Sequence, residues 1–148
     1  MNEYQDIEAS LLRFSADLAH ELTQFGLEVS AEYVDAFGSP TEWPETDFIG
    51  PAEMRIDMDE GVIYVTLAIV VSTRQDTNLT KMSKIVNRVM NKLAKDARIV
   101  IFDAASGAPR GHLIVQDGTR VGIKLNTDTQ PAKPIFINLV SDQILSRG

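Results

Sequence analysis

The stretch Val62-Ile-Tyr-Val-Thr-Leu-Ala-Ile-Val-Val-Ser72, followed by Asp76 to Lys95 and by Arg98-Ile-Val-Ile-Phe102, decides how this chain folds. The first run is apolar on both faces: Ile63, Val65, Leu67, Ile69 and Val71 on one, Val62, Tyr64, Ala68 and Val70 around Thr66 on the other. A strand of that composition is expected at the centre of a sheet, covered on both sides. Asp76 to Lys95 switches to helical period, with Leu79, Met82, Ile85, Val86, Val89, Met90 and Leu93 on one stripe. Asp76, Thr77 and Asn78 are each able to cap its start. Its other face is uniformly basic: Lys81, Lys84, Arg88, Lys92 and Lys95, with no acid between them.

Outward from this centre, Asp6 to Phe25 reads as a first helix. Ile7, Leu11, Phe14, Leu18, Leu22 and Phe25 recur at steps of three and four, and Gly26 stands where a helix ends. Leu27 to Val34 alternates as a half-buried strand. Residues 35–51 are punctuated by glycine and proline and read as an irregular loop carrying Trp43 and Phe48. These aromatic residues either pin the loop to the sheet or anchor a partner. Ala52 to Met58 alternates again, and Asp59-Glu60-Gly61 turns it into the central strand as a hairpin. Residues 103–111 read as a flexible loop or projecting arm that includes Arg110. His112 to Val115 and Thr119 to Leu125 read as a second hairpin about Asp117-Gly118, and Ile135 to Val140 as a last strand. The expected fold is a single α+β domain over residues 1–148, a mixed and mainly antiparallel sheet with two long helices packed on it.

The 148 residues are enough to bury a core without staples, and the absence of cysteine removes disulfides, thiolate metal sites and a cysteine nucleophile. The acidic start lacks the pattern of a secretion signal, and the longest apolar run, about ten residues, is short for a bilayer of ~30 Å. A protein assembled in a cytoplasm, without a membrane, is expected. No nucleophile elbow, paired-histidine metal motif or phosphate-binding glycine loop is present. Asp57, Asp59 and Glu60 lack the further oxygen ligands of a calcium loop, and His20 and His112 stand without partner motifs. Neither an enzyme, nor a cofactor, nor a metal is expected.

Charge is divided unevenly. Residues 1–60 hold 15 acids against Arg13 and Arg55, a net of −13, whereas residues 61–148 carry +6, so the total of −7 conceals two opposite halves. The halves either pair within one molecule or meet between copies, and the second arrangement builds rings head to tail. The basic helix face is a solvated surface, a docking face for an acidic neighbour or a nucleic-acid stripe. A pI near 4.7 and the lack of a base-reading motif count against the last.

The order helix, strand, irregular segment, hairpin, amphipathic helix and further strands resembles that of bacteriophage tail terminator (tail completion) proteins. The resemblance is carried by residues 6–25 as the leading helix, Glu53 to Ser72 as the hairpin, Asp76 to Lys95 as the packed helix and Arg98 to Val140 as the later strands. It implies a virion protein of the tail and neck: a homo-oligomeric ring, commonly a hexamer, that caps the tail tube protein and meets the head connector. Lys81, Lys84, Arg88, Lys92, Lys95, Trp43, Phe48 and Arg110 are then candidate subunit-interface residues. The competing expectation is a small cytoplasmic adaptor that binds a partner through Trp43 and Phe48.

Overall fold

A computed structural model describes residues 3–32, 46–122 and 131–141. Helix α1 spans Glu3–Gln24 and is followed by a two-residue strand β1, Ser30–Ala31. Strands β2 (Phe48–Asp59) and β3 (Val62–Ser72) form a long hairpin. A single 3-10 turn, Thr77–Leu79, leads into helix α2, Thr80–Lys92. Then come β4 (Arg98–Phe102), β5 (Pro109–Val115), β6 (Arg120–Val121) and β7 (Ala132–Ser141). The sheet runs β1-β2-β3-β7-β5-β4, with β6 also on β7. Only β1 and β2 pair in parallel, so the sheet is mixed and mainly antiparallel, and the α+β class expected from the sequence holds.

Both helices share one face of the sheet. Ile7, Leu11, Leu18 and Leu22 of α1 and Met82, Ile85 and Val89 of α2 join Ile63, Val65, Leu67, Ile69 and Val71 of β3 in one core. Helix α1 ends as Gly26 suggests: Gly26 has φ +82°, its N–H reaches Thr23 O at 3.0 Å, and the Leu27 N–H reaches Leu22 O at 2.9 Å. This double bond closes the last turn with the glycine in the left-handed conformation. Phe25, expected on the core stripe, is 57% exposed instead, because the helix has ended before it.

The β2–β3 hairpin turns through Glu60 and Gly61, at φ 51° and 82°, with Asp59 opposite Val62. Two left-handed residues in a two-residue loop match the right-handed strand twist. The central strand is only half as covered as its composition suggests. Residues 68–72 are buried on both faces, but Tyr64 and Thr66 are exposed on the face opposite the helices.

Two boundaries differ from the sequence expectation. Strand β2 starts at Phe48, so Phe48 to Pro51 belong to the sheet rather than to the irregular loop. Gly50 makes this possible: a Cβ there would stand 1.4 Å from the Glu32 carbonyl oxygen, where β1 crosses close. Residues 103–111 are not a projecting arm but the tip and first rungs of a β4–β5 hairpin. The Asp103 N–H bonds to Ala108 O at 2.8 Å, and the Asp103 carboxylate accepts the N–H groups of Ala105 and Ser106 at 2.8 and 3.0 Å. Those bonds hold the Asp103 carboxyl below the usual carboxylate range.

The second hairpin is absent among the described residues. β5 and β6 pair side by side with β7, at Leu113–Val115 against Leu139–Ser141 and at Arg120–Val121 against Ile135–Phe136. The Asp117-Gly118 signal marks an outward detour, not a reversal. The Gln116 N–H stays on Asn138 O at 2.9 Å and the Gly122 N–H on Pro134 O at 2.7 Å, which keeps the chain on the same edge.

Candidate interaction surface

The basic face of α2 does not survive folding as one surface. The Lys81 ammonium pairs with Asp47 and donates to the Glu28 carbonyl at 2.7 Å. Lys92 pairs with Glu21 at 2.9 Å. The Arg88 guanidinium lies 3.8 Å from the centre of the exposed Phe25 ring. Lys95 falls beyond the helix end, beside Asp117 at 3.6 Å. Among these five residues, Lys84 and Arg88 are exposed and have no acidic partner among the described residues, and Arg88 covers Phe25 instead.

Arg110 was expected on a loop and sits instead in β5, at the irregularity where Phe102 opposes Pro109. Its guanidinium pairs with the carboxylate of Asp6, whose side chain is only 4% exposed. Asp6 also accepts the Ala104 N–H at 2.8 Å. Phe48 is fully buried with Ala52, Val70 and Ala132, so within one chain it is core rather than a surface anchor. Trp43 lies outside the described residues.

The two halves of the charge pattern therefore meet in part inside one molecule. Asp6, Glu21 and Asp47 from the acidic half bind Arg110, Lys92 and Lys81 from the basic half. What remains is at the margins of the sheet. From Glu53 to Asp59 no strand pairs with the outer side of β2 among the described residues. Glu53, Arg55, Asp57 and Asp59 stand exposed along it, alternating with Met54, Ile56 and Met58 on the helix side. Arg55 and Asp57 pair with each other at 3.1 Å.

The opposite margin is β4. Beside it α1 leaves a groove of about 250 Å³, with Phe14, Leu18, Ile99 and Val100 as its apolar part. Arg13, Arg98 and Lys92 flank it, together with Asp17 and the Lys92-bound Glu21. Arg13 stacks over Phe102 at 3.9 Å, and the Phe102 N–H donates to Ser10 Oγ at 2.8 Å. Sequence reading missed both margins. Which strands lie outermost depends on the pairing order, and no local signal encodes that order.

Among the described residues, no three histidine or carboxylate side chains gather in a way that would hold a metal ion. Nor is any helix among them long and apolar enough to cross a membrane. Compared with known protein families and curated proteins, the chain matches none.

Proposed function

We propose that this chain is a structural protein of bacteriophage particles: a tail terminator that closes into a ring, caps the tail tube and presents a surface to the head connector. The order of elements supports this role through its resemblance to that family. One structural observation carries it: the sheet ends on two different margins, an acidic β2 edge and a β4 edge beside a partly basic, apolar groove. A contact between unlike patches repeats from copy to copy, and it closes into a ring when the rotation permits. The charge split contributes less, since three of its acids are already matched inside the protomer. The adaptor role loses one of its two proposed anchors with the burial of Phe48.

The test is electron microscopy and light scattering of the purified chain, followed by its addition to tail tubes assembled without a terminator. Rings of one diameter that seat on tube ends and stop further growth are the expected result. A chain that stays monomeric at tens of micromolar in low salt, and leaves tube growth unchanged, would overturn the proposal.

A further inference from the structure

We infer that copies of this chain associate by sheet extension, the outer edge of β2 in one molecule adding to the outer edge of β4 in the next. The inference rests on the ring-forming part of the proposed function and is independent of what the ring caps.

Four observations carry it. First, each margin offers backbone groups that no strand uses among the described residues, and such edges are templates for strand addition. Second, the margins differ in sign. The β2 edge holds Glu53, Asp57 and Asp59 against Arg55, a net of −2, whereas the β4 margin holds Arg13, Lys92 and Arg98 against Asp17 and Glu21, a net of +1. Two β2 edges laid together would crowd acids against acids, so this edge selects an unlike partner.

Third, the apolar side chains match. Met54 and Ile56 are half-buried and Met58 is 46% exposed, all on the helix side of the sheet. In an extended sheet that side continues onto the helix side of the next copy, where the groove with Phe14, Leu18 and Ile99 lies beside β4. Fourth, the directions agree. β2, β3, β7, β5 and β4 alternate along the sheet, so β2 and β4 run the same way and a simple rotation between copies pairs them in parallel. Only the stretch before Phe102 is available on β4, since Ser10 already holds the Phe102 N–H.

The experiment uses two full-length charge-reversed variants: Asp57→Lys with Asp59→Lys, which makes the β2 edge basic, and Arg13→Glu with Arg98→Glu, which makes the β4 margin acidic. All four positions are exposed, and circular dichroism melting checks that each variant folds. In light scattering, each variant alone is expected to lose association by at least about tenfold, because its two margins now repel. Mixed in equal amounts, they are expected to regain the wild-type mass, since every junction then joins a basic edge to an acidic one in an alternating ring. If both folded variants assemble alone like the wild type, or if the mixture stays dissociated, the inference is overturned while the ring proposal stands. A monomeric wild-type chain overturns both.

Discussion

The two helices lie on the same face of the sheet and are fastened to it by different means. Helix α2 is held by an unbroken apolar stripe and by a collar at its start. There Asp76 accepts the N–H groups of Lys81 and Met82 at 2.9 and 2.8 Å and the Thr73 hydroxyl at 3.0 Å. Helix α1 adds buried polar pins to its stripe. Asp6 binds Arg110 and the Ala104 N–H, while Ser10 Oγ donates to the Asp6 carbonyl at 2.6 Å and accepts the Phe102 N–H. The contrast lies in where the polar contacts sit: those of α2 are at its start and on its exposed side, whereas those of α1 are buried against the sheet. At the margin beside β4, exposed backbone groups have to be satisfied as well, and α1 supplies polar atoms to do it.

Breaking the pins should separate the two modes most clearly. Asp6→Ala removes the acceptor of the Ala104 N–H and the buried carboxylate that Arg110 binds. It is expected to cost about 3 kcal/mol, read as a lowered midpoint in urea unfolding. A loss below about 0.5 kcal/mol would mean that α1 is held by its stripe alone.

The collar of α2 should matter less and should depend on acid. Burial works against ionisation of Asp76, yet the bonds from Lys81, Met82 and Thr73 and the charge of Lys81 outweigh it and hold its carboxyl below the usual range. A carboxyl with a lowered folded pKa stabilises the fold above its unfolded value of about 3.9, and this contribution is lost as pH falls through the folded value. Asp76→Ala is therefore expected to cost about 1 kcal/mol at neutral pH. The gap to the wild type should narrow below about pH 4 in urea melts at stepped pH. A gap that is the same at pH 3 and pH 7 would assign the loss to packing rather than to the charge.

The smallest effect belongs to the exposed side of α2. Lys84→Glu is expected to change stability by less than about 0.5 kcal/mol, since no acidic partner lies beside it among the described residues. A larger loss in thermal melts would reveal a structural use of that face that the apolar stripe does not account for.

How legible each helix was follows from the same contrast. The core positions of α2, from Met82 to Leu93, were readable because they repeat at a fixed local period. Asp76 was readable as one of three capping candidates because it lies within six residues of the groups it binds. The stripe of α1 was equally plain, but its pins join positions about a hundred residues apart, and neither Asp6 nor Ser10 carries a mark of burial. The basic face of α2 misled for the converse reason. Like charges at helical spacing look like one surface, yet Lys81, Arg88 and Lys92 each meet a different neighbour once α1 and the segment before β2 are in place. The two margins were invisible as well: Glu53 to Asp59 and Arg98 to Phe102 read as ordinary strands, and being outermost is a property of strand order.

The amino-acid sequence by itself determined what short-range physics determines: the two helices, the β2–β3 hairpin with its left-handed Glu60-Gly61 turn, and most of the apolar core. Those features depend on periods and turn conformations that act over a few residues. Only the tertiary structure decided which charges are spent inside the molecule, that Phe48 is core, that β5 and β6 share one edge of β7, and that β4 and the part of β2 from Glu53 on lie at the margins of the sheet. Each of these depends on groups brought together from distant parts of the chain, where burial and charge pairing are set by the neighbours that arrive.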